Sequence, residues 1–252
     1  MNVFIGPKHL ILGFRLIMKP GLRRFVLMPM LINIIIFTLL IWFSIGQYEN
    51  LLEWILPKGE SWWLEILRPI LWVLFAAAEV LFLFFSFTVA ANLIGSPFNG
   101  FLSEKVEVYL IGGAVQSSPT GLIRSLSEIV SSFFNELRKL VYFILIGSFV
   151  LITSFIPVLN IISPFFWLIF TAWMLAFEYL SYPMENHRLV LKQVRGHLAE
   201  NRLSSLSFGF AVMGATLIPL INFFVMPAAV AGATSFCVEQ WAKNTQHHAM
   251  RQ

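Results

Sequence analysis

Apolar residues fall in long runs separated by short polar stretches, and the lengths of those runs predict the architecture. Residues 25–45 and 69–94 are apolar runs of 21 and 26 residues. Each is long enough to cross roughly 30 Å of hydrocarbon at about 1.5 Å per residue. They predict two full transmembrane helices, one over 20–46 and one over 69–94, the second continuing as a cytoplasmic helix to about 111. Between them lie Glu49, Glu53, Lys58, Glu60, Glu65 and Arg68 with Trp54, Trp62 and Trp63, the aromatic and charged mixture of a water–lipid boundary. Ahead of the first run, residues 8–19 set Lys8, Arg15 and Lys19 on one helical face, with Leu10, Ile11, Phe14, Ile17 and Met18 roughly opposite. That pattern predicts a helix lying in the membrane interface.

From Ser96 the chain turns polar, and Gly112-Gly113 followed by Ser118-Pro119 marks a helix stop and then a capped start. A helix is expected over 119–155; Arg124, Glu128, Glu136, Arg138 and Lys139 keep its first half out of lipid, so only the part from Leu140 onward enters. Ile156-Pro157-Val158-Leu159-Asn160-Ile161-Ile162 matches Ile218-Pro219-Leu220-Ile221-Asn222-Phe223-Phe224 at a separation of 62. Each copy interrupts an apolar stretch, and the segments leading into them, 141–156 and 206–218, have 16 and 13 residues. Both are shorter than the roughly 17 to 25 that a crossing needs. The repeats therefore predict two helical hairpins, over 119–180 and 204–240, that dip into the bilayer and return, with a cytoplasmic helix over 184–203 between them and a polar tail over 243–252. Irregular backbone at such a tip must be covered by protein or line a water-filled cavity. Ordinary spanning hairpins with tight Pro-Asn turns are the alternative.

Composition agrees with a bilayer as solvent: 58% of the 252 residues are hydrophobic and only 12% are charged. The chain reads as a single all-α membrane domain. Of the 17 Lys and Arg residues only Lys58 and Arg68 fall between the two long runs. The positive-inside rule then puts both termini in the cytoplasm. The opening segment is unlike a signal peptide, since Lys8, Arg15 and Lys19 interrupt it. The lone Cys237 excludes an internal disulfide and reads as a small packing residue; His247 and His248 sit in the polar tail, where fraying is expected rather than metal binding. No metal site, cofactor or nucleic-acid partner is expected, and no nucleophile elbow, Gly-rich phosphate loop or helical metal-ligand pair points to an enzyme.

Acidic residues are all Glu, and none precedes Glu49. Within that acid-free opening, Lys19-Pro20-Gly21-Leu22-Arg23-Arg24 joins the interfacial helix to the first span. Pro20 suits a first helical turn and Gly21 admits close approach of a ligand, so free N–H groups, the positive end of a helix dipole and two guanidinium forks would converge there. Sulfate at neutral pH has no proton to donate, and a site made only of donors suits it. Phosphate keeps a proton and more often asks for an acceptor. The plainer reading is that Arg23 and Arg24 anchor the span at lipid headgroups. Glu79 stands near the centre of the second span, where a carboxylate must face protein or water; it either titrates or holds a structural hydrogen bond. Glu178, Tyr179, Tyr182, Asn186 and His187 cluster where the first hairpin returns to the surface, as in an interfacial polar network.

These residues resemble the CysZ family of bacterial inner-membrane sulfate permeases. The likeness is carried by Pro20-Gly21-Leu22-Arg23-Arg24-Phe25, by Ala91-Asn92-Leu93-Ile94-Gly95-Ser96-Pro97-Phe98-Asn99-Gly100, by Ala172-Trp173-Met174-Leu175-Ala176 with Tyr182-Pro183 and Asn186-His187, and by Ile218-Pro219-Leu220-Ile221-Asn222 through Met226-Pro227-Ala228 to Gly232-Ala233-Thr234. The resemblance implies sulfate uptake feeding cysteine synthesis, an interfacial N-terminal helix, two full transmembrane helices with two partly penetrating hairpins, and a homo-oligomer whose protomers can pack antiparallel. It marks Gly21, Leu22, Arg23 and Arg24 as a sulfate-binding element. Glu79, Asn92, Asn99, Glu104, Asn160 and Asn222 are the candidates for lining the onward path. A non-transporting membrane scaffold or regulator of sulfur assimilation and an enzyme modifying lipid headgroups are the rival functions.

Overall fold

The computed structural model describes residues 4–55, 62–112 and 122–249. Among them the regular structure is helical throughout, as the apolar runs predict: α1 (Ile5–Ile17), α2 (Arg23–Ile55), α3 (Trp62–Ile111), α4 (Leu122–Ser154), α5 (Pro157–Asn160), α6 (Ser163–Asn186), α7 (Leu191–Glu200), α8 (Arg202–Thr216) and α9 (Pro219–Ala249). The capped start expected at Ser118-Pro119 lies outside the described residues, as do the side chains of Trp62, Trp63, Asn92, His247 and His248. Helix α9 continues to Ala249, into the stretch expected to be a polar tail.

Length and apolar composition give four described segments the capacity to cross a membrane: Arg23–Gln47, Glu136–Ser154, Ser163–Asn186 and Pro219–Ala242. This is a multi-pass membrane protein. Pro69–Phe85 is a shorter apolar helix within the described residues. Helix α8, with 15 residues, is about 22 Å long and falls short of the hydrocarbon thickness.

The chain divides into two units, Met1–Val26 with Ser96–Gln252, and Leu27–Gly95. In the second unit the large apolar side chains of α2 and α3, among them Leu31, Ile34, Trp42, Trp72, Phe82 and Phe85, are exposed. This is the surface a lipid-facing helix presents when the solvent is hydrocarbon.

The first unit is built around α9. Its Val225, Ala228, Ala229, Val230, Ala231 and Ala233 are fully enclosed. Small residues allow this, because lipid offers no hydrophobic drive for helices to associate and close backbone approach must supply the attraction. A Cβ on Gly13 would strike the Ala228 carbonyl of α9, one on Gly232 would strike the His9 carbonyl of α1, and one on Gly209 of α8 would strike the Ala172 carbonyl of α6. The buried stripe of α1, His9, Leu10, Gly13, Leu16 and Ile17, repeats at three- and four-residue spacing and lies against α8 and α9. His9 is pinned there by Ser235 Oγ at 2.9 Å from Nδ1 and by Glu239 Oε2 at 3.3 Å from Nε2.

The sequence repeat becomes a structural one. Pro157 and Pro219 each open a helix, and in both tips the Asn N–H donates to the carbonyl of the residue before proline at 2.8 Å, Asn160 to Ile156 and Asn222 to Ile218. The first tip is also stitched across its base: Ser154 Oγ and Ser163 Oγ lie 2.6 Å apart, and Trp167 Nε1 donates to Ser154 Oγ at 3.2 Å.

Candidate anion-binding turn and the buried charge cluster

The basic turn occupies residues 18–22, between the end of α1 and the start of α2. Gly21 sits at φ +89°, a left-handed conformation that glycine adopts without a Cβ penalty. That residue interrupts the helix, so helical backbone resumes at Arg23 and Pro20 lies in the turn itself. Leu22 is buried and acts as the turn's plug, while Gly21, Arg23 and Arg24 are exposed, and a Cβ added to Gly21 would meet open space.

The amide inventory is thinner than the sequence suggests. The N–H groups of Leu22 and Arg23 both donate to the Lys19 carbonyl, at 3.1 and 3.3 Å, and Phe25 N–H donates to the Leu22 carbonyl at 3.0 Å. Those of Gly21 and Arg24 have no backbone acceptor among the described residues. With Gly21 at positive φ the chain folds back on Lys19, whose carbonyl takes two of the turn's amides and leaves those of Gly21 and Arg24 without a backbone partner among the described residues. The Arg24 guanidinium lies 5.0 Å from the centre of the Phe25 ring, within reach of a cation–π attraction. Among the described residues no carboxylate pairs with Arg23 or Arg24. The turn thus offers donors alone.

A second charged centre lies among α3, α4 and α6. Lys139 is only 1% exposed, and its Nζ stands 2.9 Å from Glu136 Oε1, 3.6 Å from Glu178 Oε2 and 3.7 Å from Glu185 Oε1. It donates to Ser181 Oγ at 3.1 Å, and the Tyr182 ring covers it at 4.8 Å. Tyr182 donates its hydroxyl proton toward Glu178 Oε1 at 2.9 Å, lies 3.3 Å from Glu136 Oε1, and accepts from Asn99 Nδ2 at 3.4 Å. Alternating helical spacing builds this: Glu178, Ser181, Tyr182 and Glu185 recur every three or four residues on α6, and Glu136 and Lys139 share a face of α4. Nearby, His187 Nε2 donates to the buried Glu107 at 2.7 Å, and Asn186 donates to the Gly100 carbonyl at 3.0 Å.

Of the candidates for lining a path, Asn99 is buried and belongs to this cluster. Glu104 pairs with its neighbour Lys105 at 3.4 Å. Asn160 and Asn222 close the two tips through their N–H groups, with exposed side chains. Glu79 is half-buried on α3 in the other unit and has no ion-pair partner among the described residues. The Asn92 side chain lies outside the described residues. The sequence singles out Glu178, Tyr179, Tyr182, Asn186 and His187 as an interfacial polar network; Glu178 and Tyr182 pair with each other, Asn186 and His187 bond to Gly100 and Glu107, and Tyr179 is buried. That reading misses Lys139, Glu136, Glu185 and Glu107; the three- and four-residue rhythm of α6 is a signal for Glu185 alone, the others lying on α3 and α4.

Comparison with known proteins places this geometry in context. Residues 9–227 match the profile of a family described as sulfate transporter CysZ/etoposide-induced protein 2.4. A protein of Pseudomonas syringae pv. tomato named sulfate transporter CysZ is 45% identical over 237 residues, covering 93% of this chain and 92% of that one. A Pseudomonas aeruginosa protein of the same name is 41% identical over 95% of this chain and 97% of its own. One from Vibrio cholerae, again so named, is 38% identical over 95% and 94%.

Proposed function

We propose that this chain, which belongs to the sulfate transporter CysZ/etoposide-induced protein 2.4 family, carries sulfate across the bacterial inner membrane to supply cysteine synthesis. The observation that carries the reading is a donor-only turn: Arg23 and Arg24, exposed and free of carboxylate partners among the described residues, beside the amides of Gly21 and Arg24, which have no backbone acceptor among those residues. An ion without a proton needs no acceptor, and charge-assisted donors are the strong ones. Names of relatives as transporters, not enzymes, point the same way.

In this account both termini are cytoplasmic, in keeping with the positive-inside rule. The α4–α6 and α8–α9 hairpins enter the bilayer without fully crossing it, a reading supported by the short α8 and by the Pro-Asn tips. Broken apolar helices in repeated positions mark a transport route in other carriers, and Asn99, Glu104, Asn160 and Asn222 with Glu79 and Asn92 are the groups proposed to line it. The working form is a homo-oligomer, with antiparallel protomers allowed. Moving a dianion inward against about 100 mV costs about 4.6 kcal/mol, or about three decades of concentration. Entry therefore depends on low internal sulfate or on a cation moving with it.

The test is radiolabelled sulfate flux into proteoliposomes holding the purified chain. Arg23→Ala with Arg24→Ala should cut flux by at least about a hundredfold, two charge-assisted bonds being lost, and should leave the protein folded. Undiminished flux would overturn the role of the turn. Absence of flux in the unaltered protein would favour a scaffold, and turnover of phospholipid would favour an enzyme.

A further inference from the structure

The outward face of α1 presents a feature that sulfate recognition does not use. Its inward face is committed, since Gly6 meets Ser207 and Phe208 of α8, Gly13 meets α9, and His9 is held by Ser235 and Glu239. Packing therefore fixes what points away. Ile11 and Met18, expected opposite the cations, instead share the outer stripe with them: Phe4, Ile11 and Met18 are 78%, 55% and 74% exposed along it, and Lys8, Arg15 and Lys19 are exposed beside them, whereas Leu10 and Ile17 are buried. At about 100° per residue the apolar positions gather on one edge of the stripe and Lys8 and Arg15 on the other.

The three cations are not equivalent. Lys8 is neutralised by Glu239, 3.1 Å away. Arg15 and Lys19 have no carboxylate partner among the described residues. Both line an open cavity of about 720 Å³ together with Ile11, Leu12, Phe14 and Met18. All of its lining residues fall within 11–19, on α1 and the turn after it, so it is an open helix face and not an enclosed site, and its wall is mainly aliphatic and aromatic. A free dianion gains nothing from such a wall and has a donor-only turn next to it. A molecule that carries one phosphodiester charge and an apolar tail fits both edges at once.

We propose that the outward face of α1 binds one anionic phospholipid, its phosphate on Arg15 and Lys19 and its acyl chain along Ile11, Phe14 and Met18. The lipid site and the sulfate turn divide the basic segment: residues 15 and 19 take a headgroup and residues 23 and 24 take the transported ion. The two assignments are independent, so either can fail alone.

Native mass spectrometry of the full-length protein, delipidated in detergent and titrated with phosphatidylglycerol or with phosphatidylethanolamine, tests the proposal. One phosphatidylglycerol should stay bound, and phosphatidylethanolamine should be retained at least about tenfold more weakly. Arg15→Gln with Lys19→Gln should lower phosphatidylglycerol retention by about tenfold or more, while Arg15→Lys with Lys19→Arg restores it. Arg23→Gln with Arg24→Gln should leave lipid retention unchanged and abolish sulfate binding by calorimetry, the converse of the first pair. Equal retention of the two lipids, no loss in the Arg15→Gln, Lys19→Gln protein, or loss in the Arg23→Gln, Arg24→Gln protein instead would overturn it. So would displacement of the lipid by millimolar inorganic phosphate, or dimerisation through this face in place of lipid binding.

Discussion

Two groups of cations in this protein stand in opposite circumstances. Arg23 and Arg24 project from a turn with no acid partner among the described residues, whereas Lys139 is enclosed and faces Glu136, Glu178 and Glu185. An enclosed ammonium survives only if its charge and its protons are answered by the protein. An exposed guanidinium answered by nothing in the protein is available to something else. The difference separates charge answered within the bundle from charge left open to a ligand, and it does so without reference to residue type.

The comparison breaks most visibly at the exposed end. Arg23→Ala with Arg24→Ala should remove sulfate flux while thermal unfolding in detergent shifts by no more than the small change typical of surface substitutions; a large drop in melting temperature would place these arginines in the structural group. At the enclosed end the pattern inverts. Lys139→Met leaves three carboxylates facing one another and should destabilise by about 3–5 kcal/mol, visible as early loss of the monodisperse peak on heating. Adding Glu178→Gln and Glu136→Gln should recover part of that loss. If Lys139→Met melts like the unaltered protein, the cluster is ornamental.

Smaller effects sharpen the boundary. Gly209→Ala sets a Cβ against the Ala172 backbone and should cost about 1–3 kcal/mol, with flux reduced only in proportion to folded protein. Gly21→Ala meets no steric obstacle but must hold a left-handed φ, costing about 1–2 kcal/mol locally; sulfate affinity should fall more than the melting temperature, since the turn and not the core is strained. Tyr182→Phe removes one hydroxyl from the cluster for about 1 kcal/mol and should leave sulfate affinity untouched.

Much of this was written in the order of residues. Apolar runs announced the helices, the Ile-Pro-x-x-Asn repeat announced two equivalent tips, and the acid-free opening announced the basic turn. What could not be read is instructive. Lys139 appears in sequence beside Arg138 in a charged stretch expected to stay out of lipid, and its burial depends on α6, with Ser181 standing 42 positions later. Helical periodicity says which residues share a face; it does not say which face another helix will cover. Likewise Gly21 could be recognised as permissive, but residue type does not say that it takes a positive φ or that Lys19 captures two amides.

That pinning has a consequence for how the protein is made. His9 and Ser235 are separated by 226 positions, so the seat of α1 does not exist until the ribosome has delivered almost everything that follows. Until then the N-terminal helix lacks the α9 part of its seat, and the loop it must close is nearly as long as the chain. Removing α9 would therefore leave the arginine turn present in every molecule and correctly oriented in none, a defect at one end of the gene expressed at the other end of the protein.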